Sequence, residues 1–513
     1  MDYVGLLDVS GIQAFIGGSH ELTEIARRSR YIASLTATNG LYEQVAGLTG
    51  TEPIVLAGGN AALRARGSAG PLLEAFRKVS RRLIEDGTGL EVVGAIHEYE
   101  RGTLARSYRD ALVELERRKF TQPRGTAFAL SGMEPPRPMS EAVADEPERL
   151  RLDDLYEPLQ FERIIMRGEK VVGQGRAVRD RLDMMGVVSV DGLGMGRRLM
   201  TWLERIAAEG PSDDEFVSRF RAWSTGLQHR WDSAWTSVLG SLDKTFASAD
   251  RSYGHPVKRS ERVQLKEHPG GGFYLPCRRI YQGGDDMIFV ADARVALSMT
   301  ALLAAQLHEP VEETEEEFRS LRVSAGVVFV DSHYPFSRAR ELSESVRAAA
   351  KRATVRRSGG EPLQAESAVS WWINRQGALE ARDEHITMKP YLLAATGDGS
   401  GFLAWSDFED RILGGMWRSF ATGRSKLKDI LAAADQRTVH ASHHARGTRG
   451  SAGAAAVQAL LAARPLDSAQ GQTLDWLQPT HDPSHGFDVQ RETTPLLDAG
   501  ELLDIHWPLR IAA

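Results

Sequence analysis

A segment at residues 281–290 constrains the fold more than any other part of the sequence. Apolar, β-prone residues flank Gly283, Gly284, Asp285 and Asp286, which is the pattern of two strands joined by a tight hairpin. Glycine accepts a positive φ in such a turn and lets a ligand approach the backbone closely. Adjacent carboxylates repel each other unless a cation lies between them, so Asp285 and Asp286 are candidate catalytic ligands of a hard metal ion in phosphoryl or nucleotidyl transfer. An ordinary polar turn, which also favours Gly and Asp, is the alternative.

The residues around this hairpin predict a complete α/β unit. An apolar strand at 186–191 ends at Asp191, and Gly192 and Gly194 precede a helix that starts near residue 197. Glycines between a strand and a helix leave backbone N–H groups free to bind phosphate, although a sharp turn alone explains them nearly as well. Hairpin, helix, strand and helix follow, to about residue 353. Lys351 near the end of that last helix is a candidate phosphate contact, or a solvated lysine at a helix end.

In a palm-type sheet, the strand that ends at Asp191 lies beside the hairpin. Three carboxylates, from Asp191, Asp285 and Asp286, would then converge on one or two Mg²⁺ or Mn²⁺ ions. Such a site binds a nucleoside triphosphate and activates a 3′-hydroxyl. A metal is required there because three anionic groups cannot otherwise approach a triphosphate.

The N-terminal part of the chain predicts a second unit of similar kind, complete by about residue 120. Strands are expected at 3–9, 53–57 and 90–96, and helices at 21–46, about 71–86 and about 103–118. This alternation of strands and helices predicts a sandwich of helices on one sheet.

The remaining segments complete the predicted domain organisation. Residues 121–185 are rich in proline and acidic side chains and predict a linker or inserted region, while the second unit spans 186–375 with a helical insertion at about 205–255. Residues 251–272 predict a loop, and 376–513 a mostly helical C-terminal domain with a basic, His-rich loop at 440–453. Three tryptophans of the insertion are expected in the core: Trp223, Trp231 and Trp235.

Composition excludes several classes of protein. The chain has 513 residues, of which 42% are hydrophobic and 26% charged, and its net charge of −6 is too mild for a molecule that binds nucleic acid over its whole surface. Cys277 is the single cysteine, which excludes an internal disulfide and a cysteine-based zinc site. The sequence contains no long apolar run and no signal-peptide pattern, so we expect a cytoplasmic protein without a membrane partner.

Five motifs, taken in order, resemble the large signature subunit of type III CRISPR effector complexes. They are DVSGIQAFI (8–16), AGGN (57–60), VDGLGMG (190–196), YQGGDDMIFVA (281–291) and SAGVVFVDSHYPFSRARELSESVRAAAK (324–351). The resemblance runs over most of the chain, and the motifs are specific together although each is weak alone. It implies an α+β fold with two ferredoxin-like palm domains, of the nucleotidyl cyclase and polymerase type, and a helical C-terminal domain.

The resemblance also implies an activity: synthesis of cyclic oligoadenylates from ATP, switched on by target RNA. Asp285 and Asp286 match the catalytic, metal-binding pair of that family, and Asp191 matches its further metal ligand. The first palm would face the second across a shared nucleotide pocket, formed by Ser10, Gly11, Gln13, Gly58, Gly59, Asn60, Gly192, Gly194, Gly283, Gly284 and Lys351. The implied partners are ATP, the other subunits of an RNA-guided complex, and crRNA and target RNA bound through that complex.

The chain departs from the family pattern at three places. The first palm begins almost at residue 1, which leaves no room for the HD nuclease domain of many members, and His481-Asp482 lies between prolines without the separated partners of an HD metal site. One cysteine cannot form the four-cysteine zinc site found between the palms of many members, so no zinc is expected. Leu193 occupies a position where the family often has an aspartate.

Two alternatives to the leading prediction are a catalytically weak scaffold subunit of the same complex and a stand-alone palm-domain cyclase that makes another cyclic nucleotide. The three acidic residues Asp191, Asp285 and Asp286 argue against an idle scaffold. The product ring size, the base choice and the need for the complex do not follow from the sequence.

Overall fold

The structure is a computed structural model in which eleven segments of the chain are described. These are residues 1–18, 22–121, 155–156, 161–172, 176–180, 182–256, 261–311, 315–374, 389–393, 403–419 and 495–509. The predicted His-rich loop at 440–453 and the pair His481-Asp482 lie outside them.

The N-terminal domain is one antiparallel sheet with the order β2-β3-β1-β4. Its strands are β1 (Asp2–Ser10), β2 (Glu52–Ala57), β3 (Asn60–Arg66) and β4 (Glu91–Tyr99). Its helices are α1 (Ile12–Gly17), α2 (Leu22–Thr36), α3 (Leu41–Thr49), α4 (Gly70–Glu85) and α5 (Leu104–Thr121). The alternation along β1 explains the two layers: Leu7 and Val9 point into the core shared with α2 to α4, whereas Val4 and Leu6 point into the core shared with α5.

The second domain repeats this strand order and extends it. Its sheet has the order β12-β13-β8-β14-β15-β16, in which β14 and β15 are parallel and every other pair is antiparallel. The strands are β8 (Met184–Gly192), β12 (Cys277–Gly283), β13 (Asp286–Asp292), β14 (Val323–Asp331), β15 (Ala368–Ile373) and β16 (Tyr391–Leu392). The helices are α7 (Met195–Glu209), α8 (Asp213–Thr245), α9 (Ala293–His308) and α10 (Phe336–Arg357).

Both domains therefore follow the β-α-β-β-α-β order of a ferredoxin-like palm, and each adds a helix after its fourth strand: α5 in the first and α10 in the second. The predicted fold class, α+β with two palms, is confirmed. The two palms also pack reciprocally, because α1 contacts α10 while α7 contacts α5, and α2 contacts β12 while α8 contacts β2.

Smaller elements cover the second palm. One sheet has the order β7-β6-β10-β9, and β5 pairs with β11. These strands are β5 (Leu155–Tyr156), β6 (Arg167–Val172), β7 (Arg176–Asp180), β9 (Ser252–Gly254), β10 (Glu261–Gln264) and β11 (Phe273–Tyr274). The described helices beyond the two palms are α6 (Phe161–Ile164), α11 (Trp405–Asp407), α12 (Gly414–Ser419), a π-helix (Phe408–Leu413) and α13 (Pro495–Leu502). Among the described segments, no helix has the length and apolar character needed to cross a membrane.

Several local predictions are wrong. The expected helix at 21–46 is two helices, α2 and α3, separated by a turn in which Asn39 has a positive φ. The expected loop at 251–272 contains β9 and β10. The region predicted as a linker or inserted region, 121–185, contains β6 and β7 among its described residues. The sequence analysis also missed β3, whose alanines have low strand propensity and which is stabilised by pairing with strands on both sides.

The tryptophans of the insertion lie where they were expected. Trp231 and Trp235 on α8 are fully buried, and Trp235 packs on Phe289 of β13. Trp223 is partly buried and packs on Phe318. The insertion is thus α8, a single long helix that covers one face of the second palm.

Candidate active site between the two palms

The hairpin β12–β13 has the predicted tight turn. Gly283 pairs with Asp286, which leaves Gly284 and Asp285 as the two turn residues, and Gly284 has a φ of 61°. A residue with a side chain rarely adopts this left-handed conformation, so glycine fits the turn. The amide of Gly192, at the end of the neighbouring strand β8, donates a hydrogen bond of 2.9 Å to the carbonyl of Asp285. The turn is therefore fastened to the central strand of the sheet.

The structure brings the three predicted aspartates together. Asp286 and Asp191 are directly paired on the adjacent strands β13 and β8, and Asp285 packs against Gly192 so closely that a Cβ there would lie 2.9 Å from the Cβ of Asp285. Gly192 is thus required for the approach of the hairpin. This convergence was expected from the neighbouring strands of a palm-type sheet, and the observed sheet order supplies it.

Burial and the neighbouring charge of Asp191 raise the pKa values of Asp285 and Asp286. Burial, followed by the charge of Asp191, raises the pKa of Asp285 to about 6. The same two causes raise the pKa of Asp286 further above its usual range. A carboxylate pair with raised pKa values is the electrostatic signature of a site that lacks positive charge and gains stability when a cation binds.

Two basic side chains from α10 supply part of that charge. Lys351 Nζ lies 2.6 Å from Asp191 Oδ2. Arg347 Nη1 lies 3.0 Å from the same oxygen and 3.6 Å from Asp286 Oδ1. Sequence analysis selected Lys351 but missed Arg347, although the spacing of one helical turn between them was a usable signal.

The donor set suits a hard divalent cation, because it consists of three carboxylates on adjacent strand ends. In the described part of the chain, however, no group of three or more His, Cys, Asp or Glu side chains has a geometry that could hold a metal ion. One oxygen of Asp191 instead faces two cationic groups, those of Lys351 and Arg347.

The turn after β8 corrects the prediction that all of its backbone N–H groups are free to bind phosphate. Its first two N–H groups are not free for phosphate, because Gly192 donates to Asp285 and Leu193 donates to the carbonyl of Arg322 at 2.7 Å. Gly194, with a φ of 70°, begins α7, whose first-turn amides have no partner within the helix. The side chain of Leu193 is 1% exposed and belongs to the core.

The AGGN motif forms the matching hairpin of the first palm. Ala57 pairs with Asn60, so Gly58 and Gly59 are the turn residues, with φ values of 60° and 86°. A Cβ on Gly58 would lie 3.6 Å from the amide nitrogen of Gly284. The tips of the two hairpins therefore lie so close that a methyl group on Gly58 would touch the backbone of Gly284.

The other predicted residues of the first palm lie around Asp8. Asn60 Oδ1 accepts a hydrogen bond of 3.1 Å from the amide of Val9, and Ser10 Oγ donates one of 3.4 Å to Asp8. Gly11 has a φ of 86° and begins α1. The side chain of Gln13 is outside the described part of the structure.

An ion pair of the first palm repeats the one of the second. Lys119 Nζ on α5 lies 3.3 Å from Asp8 Oδ1, as Lys351 on α10 lies beside Asp191. By hairpin position, Gly59 and Asn60 stand where the second palm has Asp285 and Asp286. Gly59 and Asp285 are the second turn residues of their hairpins, and Asn60 and Asp286 begin the strands that follow. The first palm therefore has the lysine–aspartate pair but lacks the pair of adjacent carboxylates.

The fold and the site define a protein with two ferredoxin-like palms whose hairpins approach each other, with clustered aspartates on one of them. Comparison with protein families gives one match. Residues 185–358, about a third of the chain, match the family model of the second palm domain of Cas10/Cmr2. This match agrees with the predicted resemblance to the large subunit of type III CRISPR effector complexes.

Solved structures share the fold over almost the whole chain. One is the Csm1–Csm4 subcomplex in the type III-A CRISPR-Csm interference complex, with a TM-score of 0.53 and 14% identity. Others are the Csm1–Csm4 cassette in complex with cA4, at 0.53 and 14%, and with AMPPNP, at 0.53 and 13%. Each match covers 98% of this chain and 69% of the other. A comparison with curated protein sequences found no match.

Proposed function

We propose that this protein is a metal-dependent nucleotidyltransferase that converts ATP into cyclic oligoadenylates. In this proposal it is the large subunit of an RNA-guided type III CRISPR complex, works in the cytoplasm and is activated by target RNA. The observation that carries the proposal is the convergence of Asp191, Asp285 and Asp286 at the contact between the two palms. The Csm1–Csm4 cassettes that share the fold bind AMPPNP and cA4, a substrate analogue and a product of this reaction.

The reaction balances without any other reactant. The 3′-oxygen of one ATP attacks the α-phosphorus of a second, a new phosphorus–oxygen bond forms, and the bond to the β-phosphate bridging oxygen breaks so that pyrophosphate leaves. The 3′-hydroxyl proton passes to solvent or to a carboxylate. Repetition extends the chain, and attack by the terminal 3′-oxygen on the α-phosphorus of the 5′-triphosphate closes the ring and releases a further pyrophosphate.

The residues at the site have distinct proposed roles. Asp191, Asp285 and Asp286 would hold Mg²⁺ or Mn²⁺. Bound there, the cation supplies charge neutralisation of the phosphates and lowers the pKa of the 3′-hydroxyl. Lys351 would contact the triphosphate, as would the first-turn amides of α7 after Gly194.

The first palm would hold the second nucleotide. The remaining predicted residues, Ser10, Gly11, Gln13, Gly58, Gly59 and Asn60 on the first palm and Gly192, Gly283 and Gly284 on the second, would shape the pocket wall. The proximity of Gly58 to Gly284 supports a shared pocket, because a methyl group on Gly58 would touch the backbone of the other hairpin.

The test measures product formation from ATP in two settings. One is the purified chain alone, without RNA. The other is the complex that copurifies with the chain from its native host, with crRNA and target RNA. We expect cyclic oligoadenylates by mass spectrometry in the complex with Mg²⁺ or Mn²⁺, and none after Asp285→Asn with Asp286→Asn. Absence of product in both settings, with intact assembly, would contradict the proposal. Product from the chain alone, without RNA, would instead indicate a stand-alone cyclase.

A scaffold function is the second candidate, and one observation favours it. Arg347 and Lys351 both contact one oxygen of Asp191, and the described residues contain no assembled group of three or more metal-ligating side chains. A scaffold predicts normal assembly of the complex but no Mn²⁺ binding, which separates it from the enzyme.

A further inference from the structure

The basic face of α10 lies directly over the carboxylates. Arg347 and Lys351 are one helical turn apart and reach the same oxygen of Asp191, at 3.0 Å and 2.6 Å. Arg347 also reaches Asp286 on the next strand, at 3.6 Å. Arg347 therefore bridges two of the three proposed metal ligands.

A close approach of helix and sheet holds Arg347 in this position. Gly326 of β14 lies beneath α10, and a Cβ there would overlap the backbone of Ser343 and lie 2.9 Å from the Cα of Arg347. The side chain of Arg347 is 16% exposed, so it is fixed between the helix and the strand ends.

The guanidinium of Arg347 has unused donor capacity. Its Nε is buried and has no hydrogen-bond partner. An arginine carries five N–H donors in a planar fork that matches phosphate oxygens, and an unpaired buried donor costs free energy until an acceptor arrives. Ionised phosphate is the acceptor that this geometry suits best.

The charges of the site indicate when Arg347 would exchange partners. Asp191, Asp285 and Asp286 carry three negative charges when ionised, and Arg347 and Lys351 carry two positive ones, which leaves a net charge of −1. A divalent cation reverses this sign and repels the two basic groups. A triphosphate that arrives with the cation offers them an alternative anion.

We propose that Arg347 is an exchangeable counter-ion of the active site. Without substrate it holds Asp191 and Asp286 and competes with the metal, and on substrate binding it transfers to the triphosphate. Metal and nucleotide consequently bind tightly only together. This inference rests on the proposed function, because it requires that the aspartates bind a metal and the pocket a triphosphate.

The experiment is a titration of the full chain with Mn²⁺ followed by electron paramagnetic resonance, with and without AMPPNP. For the wild type we expect weak Mn²⁺ binding that AMPPNP strengthens. Arg347→Gln should bind Mn²⁺ alone at least about tenfold more tightly, because a competing charge is gone. The same variant should bind AMPPNP more weakly at saturating Mn²⁺, so AMPPNP should strengthen its Mn²⁺ binding less than it does in the wild type.

Two further variants control this result. Arg347→Lys keeps the positive charge and should keep weak Mn²⁺ binding in the absence of nucleotide. Arg338→Gln removes a charge from an exposed pair with Glu341 on the same helix and should leave both titrations unchanged. Thermal unfolding of each variant shows whether it is folded, and Arg347→Met, which also removes the charge and should also bind Mn²⁺ alone more tightly, replaces Arg347→Gln if that variant does not fold.

The outcomes separate the inference from the proposed function. Unchanged or weaker Mn²⁺ binding by Arg347→Gln, with normal binding by the wild type, would overturn the counter-ion role and leave Arg347 as a support for the aspartates. If the wild type binds neither Mn²⁺ nor AMPPNP, the proposed function fails and the inference fails with it. A gain in Mn²⁺ affinity confined to Arg347→Gln supports both.

Discussion

Lys351 of α10 forms a 2.6 Å ion pair with Asp191 at the end of the central strand of the second palm. In the first palm, Lys119 of α5 forms the equivalent pair with Asp8 at 3.3 Å. Each pair ties the added helix of its palm to the same point of the sheet. The two palms thus share a structural ion pair, and only the second adds the carboxylates that we propose for chemistry.

Asp286→Asn should make the protein more stable while it abolishes product formation. The substitution removes a buried charge that is repelled by Asp191, so we expect the free energy of unfolding to rise by about 1 kcal/mol in metal-free buffer. Denaturant titration measures this rise. Glu204→Gln, which removes an exposed negative charge from α7, is the control and should change stability little. A loss of stability in Asp286→Asn would contradict the repulsion.

Gly326→Ala should displace α10 from the sheet. Its Cβ would overlap the backbone of Ser343 and Arg347, so we expect a loss of about 2–3 kcal/mol and weaker Mn²⁺ binding with AMPPNP present. The matched control is Gly240→Ala in the long helix α8, where nothing lies within 4 Å of the new methyl group. That variant should be stabilised by about 0.5–1 kcal/mol, because alanine favours the helix. Equal effects at the two positions would refute the close contact.

A large side chain at Gly58 should separate the two hairpins without touching the aspartates. Gly58→Phe combines a positive φ with a bulky group beside Gly284, so we expect a loss of product larger than the loss of stability explains. Gly67→Phe is the control, because Gly67 has a φ of 75° but no neighbour within 4 Å of a Cβ. Both variants should lose about 1 kcal/mol to backbone strain. Only the first should lose activity, measured as cyclic product per hour.

Acid should weaken the contact of α7 with the turn before β14. Arg205 binds Glu317 through two hydrogen bonds of 2.9 Å, and these bonds lower the pKa of Glu317. A carboxylate whose pKa is lower in the folded state stabilises the fold above its unfolded pKa of about 4.3, and the stabilisation is lost as pH falls further. Glu317→Gln should therefore cost about 1 kcal/mol at pH 7 and progressively less below about pH 4.

The control for this pH dependence is Glu316→Gln, the exposed neighbour of Glu317. Its unfolding free energy should follow that of the wild type across the pH range. If Glu317→Gln and Glu316→Gln respond to pH in the same way, the bidentate pair with Arg205 contributes nothing specific.

Local signals in the sequence were sufficient to predict the β12–β13 hairpin of the second palm. Gly284 has no side chain to oppose a positive φ, and the flanking apolar residues alternate over the right length, so turn and strands were both predictable. The duplicated order of elements likewise predicted two palms. The strand β3 was not predictable in this way, because its residues have little strand propensity and pairing with β1 and β2 decides its conformation.

The parts of the site that escaped prediction depend on contacts between distant segments. Arg347 resembles any helical arginine until Gly326, on a different strand, lets the helix approach the carboxylates. The amides of Gly192 and Leu193 looked free because their acceptors, on Asp285 and Arg322, are remote in sequence. The spacing of residues in the sequence shows which side chains share a helix or strand. It does not show which distant segments will supply their hydrogen-bond partners.

The hairpins of the two palms carry different residues at their tips, so the two sides of the interface between the palms are not equivalent. Two similar palms that pack reciprocally would offer two interchangeable pockets if their hairpin tips were alike, yet one tip has Gly59 and Asn60 where the other has Asp285 and Asp286. Two identical nucleotides bound there would meet different electric fields. Under the proposed function, two similar domains would in this way distinguish chemically identical molecules, and a growing polymer would have a defined start and end.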